Sequence, residues 1–199
     1  MNGCKKAFVN FAGVVLAASM FSAFAQPNCN VDSFETPDWL ICSQEIFDSL
    51  DAALNDQYKK AQASLAPDNR KLLVDVQRSW VKFKEEYCET LYQKAEAGET
   101  AALKKWSCLL HTTNGRLNEL IYLQTGMTND GFYNATLAMV GKDKAMTKEA
   151  AAERLAGEVL VDPIWQHYVA GHCEMAYGLF REDLDLCGQR MRFQLPINR

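Results

Sequence analysis

Residues 73–91 read LVDVQRSWVKFKEEYCETL. Leu73, Val76, Trp80, Phe83, Tyr87 and Leu91 recur at steps of three and four, the interval that returns side chains to one face of an α-helix. A strand would need strict alternation, and this stretch has none. Cys88 shares the broad apolar face, so the helix carries a cross-linking group toward whatever packs on it. A second stretch, DPIWQHYVAGHC at 162–173, repeats the spacing with Trp165, Tyr168 and Cys173. The shared pattern reads as packing plus cross-linking, either as a diverged duplication or as a coincidence of three positions.

Working outward, the same periodicity covers most of the chain. Phe47, Leu50, Leu54, Tyr58, Ala61 and Leu65 predict a first helix. Thr36-Pro37 opens it with a capping residue and a proline at the first position. Pro67 restarts the chain as the second helix, and Gly98 interrupts it. Thr100 is expected to cap a third helix bearing Leu103, Trp106, Leu110, Thr113, Leu117 and Leu120 and ending near Gln124. The run TGMTNDG at 125–131 has loop composition. Thr147 is expected to cap a helix reaching Leu160, Asp162-Pro163 to start another, and a last helix to run from about Phe180 to Arg192. The expected fold is all-α: a disulfide-stapled helical bundle over residues 26–124, the 125–131 loop, and an additional C-terminal helical hairpin within a subdomain at 132–199.

The N-terminus bears on the compartment. Lys5 and Lys6 precede an uncharged apolar run, and Ala23-Phe24-Ala25 fits a small-x-small cleavage site, so residues 1–25 read as a secretory signal peptide. The run falls short of the roughly 20 residues of a membrane span, and Gln26-Pro27-Asn28 before Cys29 does not fit a lipoprotein site. The expectation is a bacterial periplasmic or secreted protein. The formal charge of −4 becomes −6 once Lys5 and Lys6 leave, which argues against nucleic acid as a partner.

Cys4 leaves with the signal, and Cys29, Cys42, Cys88, Cys108, Cys173 and Cys187 remain. An even number in an oxidising compartment predicts disulfides. Six cysteines allow 15 connectivities, but hairpin geometry favours neighbours. Cys88 and Cys108 are equidistant from Gly98, Cys173 and Cys187 from Phe180, and Cys29 and Cys42 flank Thr36-Pro37.

These residues together resemble the LprI-type lysozyme-inhibitor N-terminal domain family over about residues 29–124. The resemblance rests on Cys29, Thr36-Pro37, Ile41-Cys42, Leu50-Asp51-x-x-Leu54-Asn55-x-x-Tyr58, Gln77-x-x-Trp80, Cys88, Cys108, Thr112, Arg116 and Leu120. It implies a small, exported, disulfide-bonded helical domain, with lysozyme inhibition described for at least one member. Where the family often has Arg-Asp in the second helix, this chain has Lys84-Glu85; after Thr-Pro it has Asp38-Trp39.

Candidate chemistry is weighed against plainer readings. A nucleophilic Cys173 beside His172 would need a free thiolate, whereas pairing with Cys187 is expected. His167 and His172 lie five apart, about 140° around a helix, which suits surface polar positions better than a metal site. Glu85-Glu86 and Asp183/Asp185 lie among cations, as on solvated faces. Trp80, Phe83 and Tyr87, with Trp106, read as core. No catalytic, cofactor or metal site is expected. The leading expectation is a non-enzymatic, protein-binding inhibitor of a cationic lysozyme-like hydrolase, acting by cleft occlusion. The alternative is an envelope structural or adaptor protein. Met127, Asn129 and Asp130 of the 125–131 loop are the expected partner-binding residues.

Overall fold

A computed structural model describes residues 32, 35–95, 98–128 and 131–196. These form seven helices and no strand: α1 (Thr36–Ser64), α2 (Pro67–Gln93), α3 (Glu99–Thr125), α4 (Phe132–Lys142), α5 (Lys148–Ala156), α6 (Pro163–Phe180) and α7 (Leu184–Phe193). The predicted signal peptide lies outside the described residues.

The three long helices follow the stripes read from sequence. Only Leu65 and Ala66 separate α1 from α2, because Pro67 pre-sets the first turn of a new helix while lacking the N–H that would continue the old one. α1 runs alongside α3 in the same direction: Phe47 meets Trp106 edge-on at 5.6 Å, and Gln57 Nε2 donates to Gln124 Oε1 at 2.5 Å. α2 runs antiparallel to α3, stapled by Cys88–Cys108 with a Cα–Cα distance of 5.5 Å. The far side of α2 receives α6, with Phe83 and Trp165 at 4.9 Å. α6 and α7 form a hairpin closed by Cys173–Cys187, Cα–Cα 5.7 Å. α4 and α5 pack on each other, and α5 also lies on α7. Cys42 is disulfide-bonded, while Cys29, its expected mate, lies outside the described residues.

One apolar cluster draws Leu54 and Ala61 from α1, Leu73, Val76, Trp80 and Phe83 from α2, Leu120 and Leu123 from α3, and Trp165, Tyr168, Met175 and Met191 from α6 and α7. The two Trp-x2-aromatic-x4-Cys segments therefore face each other across the α2–α6 contact. Gly171 sits where α6 comes closest, since a Cβ built there would lie 2.5 Å from Val76 Cγ2.

Several boundaries differ from the sequence reading. α1 begins at Thr36 after Glu35 as N-cap, and α3 begins at Glu99 after Gly98 rather than being capped by Thr100. Thr125 closes α3, with Gly126 left-handed at φ 70° satisfying its end. Thr147 does cap α5, accepting from the Ala150 N–H, but the helix stops at Ala156 rather than Leu160, because Gly157 turns the chain with φ 70°. Phe180 ends α6 rather than starting the last helix. Asp183 caps α7 by accepting from Asp185 N and Leu186 N, which moves that helix to Leu184–Phe193. α4, whose loop-flanked sequence has no capping signal, was not foreseen.

Candidate functional site

At the C-terminal end of α3 the 125–131 segment meets the turn between α6 and α7. Gly126 lies against the Phe180 ring, which a Cβ at that position would approach to 3.2 Å. Tyr122, one turn before, packs at a tilt against Phe180 with ring centroids 5.0 Å apart. Beyond the loop, Phe132 is fully buried against Phe193 at 5.6 Å. Gly126 is thus seated at the end of α6 and Phe132 at the end of α7, while Met127 is 62% exposed. Asn129 and Asp130 lie outside the described residues.

Beneath this surface is a buried ionic network. Arg190 is 1% exposed. It donates from Nε to Glu182 Oε1 at 2.8 Å and from Nη2 to Glu182 Oε2 at 3.1 Å, and pairs through Nη1 with Glu119 Oε1. Its guanidinium also covers the Tyr122 ring at 4.7 Å. The Tyr133 hydroxyl donates to Glu182 Oε1 at 2.5 Å. Burial and the Glu182 carboxylate push the Tyr122 and Tyr133 hydroxyls well above their ordinary range. Both remain protonated.

Glu119 and His172 extend the network inward. His172 Nε2 lies 2.5 Å from Glu119 Oε2, and its Nδ1 faces Arg116 Nη1 at 3.4 Å. Arginine can only donate, so Nδ1 must accept and the imidazole proton sits on Nε2, toward the carboxylate. Burial holds His172 below its ordinary pKa of 6.5, more than Glu119 raises it. Burial pushes the Glu119 carboxyl up as well, but the Arg190 guanidinium, with the His172 N–H turned toward it, overcomes that and keeps it ionised. With His172 neutral, two carboxylates balance two guanidiniums, so the buried charge is compensated.

The motif residues form the floor for α6. Arg116 Nε donates to Gln77 Oε1 at 2.8 Å, and its guanidinium lies over Tyr168 at 5.3 Å. Trp80 is buried among Phe83, Trp165 and Tyr168. Thr112 bonds the Cys108 carbonyl and touches Cys88 Sγ at 3.9 Å. Leu54 is buried, whereas Leu50 and Tyr58 are half-buried. Asp51 lies 4.0 Å from Lys84, whose ammonium covers the Trp80 ring at 4.8 Å. Lys84 is thus a cation packed on a core aromatic. Burial lowers its pKa, opposed by Asp51 and Glu85.

Arg116, Glu119, Trp80 and Tyr168 border a small recess of about 20 Å³. That is room for one water, far below the 300 Å³ or more of an organic-ligand pocket. Arg116 Nη2 faces it without a protein acceptor.

The sequence reading of His172 as a surface polar position is corrected: the residue is fully buried, while His167 is the exposed one, bonded to Asp75 at 2.8 Å. The missed members are Glu119, Glu182, Arg190 and Tyr133. One signal was present: Glu119 adjoins Leu120 and Leu123, and His172 continues the Trp165–Tyr168 stripe, so each is a polar residue on an apolar face. Among the described residues no group of His, Cys, Asp and Glu has metal-site geometry, and no helix is long and apolar enough to cross a membrane.

Residues 29–120 match the family lysozyme inhibitor LprI. The LprI match contains α1, α2 and most of α3, including Leu50, Asp51, Leu54, Tyr58, Gln77, Trp80, Thr112 and Arg116 together with the network acid Glu119. The loop, the α6–α7 turn, His172, Glu182 and Arg190 lie beyond the LprI segment. No curated protein and no solved structure matches the chain.

Proposed function

We propose that this protein is an exported, non-enzymatic binding module that inhibits a lysozyme-like peptidoglycan hydrolase by occluding its substrate cleft. The observation that carries the reading is the LprI match over residues 29–120. Disulfides at Cys88–Cys108 and Cys173–Cys187 agree with an oxidising, extracytoplasmic compartment. The net charge, −6 after loss of Lys5 and Lys6, favours encounter with a cationic hydrolase.

The presenting element is the end of the bundle around Met127. Loops on a rigid scaffold bind well because little freedom is lost on docking. The Glu182–Arg190–Tyr133 network supplies that rigidity from below. The test is clearance of a peptidoglycan suspension by several lysozyme-like hydrolases, with and without the oxidised mature chain. Stoichiometric loss of clearance of at least one hydrolase is expected. Unchanged clearance by all of them at large excess overturns the reading.

A further inference from the structure

Arg181 is the one non-glycine residue with positive φ among the described residues, at 60°. It closes α6 as the left-handed residue after Phe180, its N–H bonding the Tyr177 carbonyl at 2.9 Å. Glycine is the usual occupant of such a cap, because a side chain there crowds the backbone. A long cation thus stands at a position of mild strain, and such outliers collect at functional sites.

Its surroundings suit an interface. The guanidinium lies 5.3 Å over the Tyr177 ring, which is 48% exposed. Next to it Phe180, 37% exposed, carries Gly126, and Met127 follows. Tyrosine, arginine and methionine are enriched where protein interfaces are best packed. Of the two acids that follow it in the turn, Glu182 pairs with Arg190 and Asp183 accepts from the backbone N–H groups of α7. The charged end of Arg181 therefore lies against an aromatic face, on a turn that Glu182 and Arg190 fix from within and whose Phe180 carries the Gly126-Met127 segment.

We infer that Arg181, supported by Tyr177 and flanked by Met127, is the group that enters the hydrolase cleft and pairs with its catalytic carboxylates. The inference rests on the inhibitor reading above and adds the atom-level contact. Charge complementarity selects the occupant: glycoside hydrolases of the two-carboxylate type place paired acids at the centre of the cleft, and a planar guanidinium matches a carboxylate with two parallel hydrogen bonds. The cleft is part of a cationic protein, so a local cation on an otherwise acidic inhibitor finds its complement only at those acids.

The experiment compares wild type, Arg181→Gly, Arg181→Lys and Lys104→Ala as inhibitors of the same hydrolase, with unfolding midpoints measured alongside. Glycine suits the left-handed cap, so Arg181→Gly should match or exceed the wild-type midpoint while inhibition weakens by about 30-fold or more, the scale of losing one partner of a buried interfacial charge pair. Arg181→Lys should fall between. Lys104, an exposed cation on α3 about 33 Å along the helix from Gly126, should be replaceable without effect. Against a hydrolase with both catalytic carboxylates changed to amides, the difference in binding between wild type and Arg181→Gly should largely disappear. If wild type inhibits and Arg181→Gly inhibits equally well, this inference fails and the inhibitor reading stands. If wild type inhibits no hydrolase, both fall.

Discussion

Gly171→Ala tests how tightly the LprI segment is joined to the C-terminal helices. In an open helix interior, alanine is favoured over glycine by about 1 kcal/mol, so propensity alone predicts stabilisation. The structure predicts the opposite sign. The added Cβ would lie 2.5 Å from Val76 Cγ2, about 1 Å inside a normal carbon–carbon contact of roughly 3.5 Å. Val76 is fully buried and, as a β-branched residue on a helix, is held in one rotamer, so it cannot swing aside. Leu72 Cδ1, 3.4 Å away, blocks the alternative displacement. α6 must move outward, loosening Phe83 from Trp165. Overpacking of this kind costs about 1–3 kcal/mol, leaving a net destabilisation of up to about 2 kcal/mol after the propensity gain. Urea unfolding of Gly171→Ala, Val76→Ala and the double variant measures it. Val76→Ala alone should cost about 2 kcal/mol through lost burial and a cavity. In the double variant the new methyl occupies the vacated space, so the pair should be more stable than the summed single effects by about 1 kcal/mol or more. Additive behaviour, or a stabilising Gly171→Ala, would refute the close approach of α2 and α6.

The buried network makes stability fall with acid. His172 is held below 6.5 and Glu119 below its ordinary 4.5, so in each window the unfolded chain binds more protons than the folded one. The unfolding midpoint should be level above pH 6.5, decline below it as His172 contributes, and decline further below 4.5 as Glu119 does. A midpoint that rises as the pH falls from 7 to 5 would contradict a His172 held neutral by burial. Tyr133→Phe removes a hydrogen bond to a buried carboxylate, worth about 1.5–3 kcal/mol, and should speed amide exchange at the start of α4; unchanged exchange would show that Tyr133 does not anchor the loop. Replacing both Cys173 and Cys187 by serine should cost about 3 kcal/mol, by the entropy of a loop of that size, and a loss under about 1 kcal/mol would count against a stabilising staple.

Periodicity made α1, α2 and α3 legible, because long stripes with Pro67 and Gly98 between them leave one helical solution. Hairpin symmetry placed Cys88 opposite Cys108 and Cys173 opposite Cys187. The second pair forms as expected, although the turn falls at 181–183 rather than at Phe180 and the two cysteines are not equidistant from it. Short helices were less legible. α4 lacks a side-chain cap and begins after a left-handed glycine, and α5 ends where Gly157 reverses φ, a choice of conformation that one glycine does not announce.

The polar core was the least legible part. Of His172, Glu119, Glu182 and Arg190, only His172 entered the sequence reading, as a surface group; the other three have no spacing in the chain that links them. Burial becomes tolerable only when all of them meet, and that meeting depends on α6 and α7 packing against α2 and α3. Gln77 and Arg116 entered through their resemblance to a family; their contact explains why those residue types stand there. Arg181 gave no signal in sequence, because its left-handed backbone is a consequence of where α6 stops.

Occlusion of a substrate cleft has a kinetic signature in the steady state. Initial rates of a susceptible lysozyme-like hydrolase are measured on a soluble oligosaccharide at several concentrations of the oxidised mature chain. Occlusion predicts competitive behaviour: an apparent KM that rises with inhibitor while kcat stays fixed, with saturating substrate displacing the inhibitor. A fall in kcat at constant KM, with inhibitor still bound at saturating substrate, would place the contact outside the cleft and contradict the account.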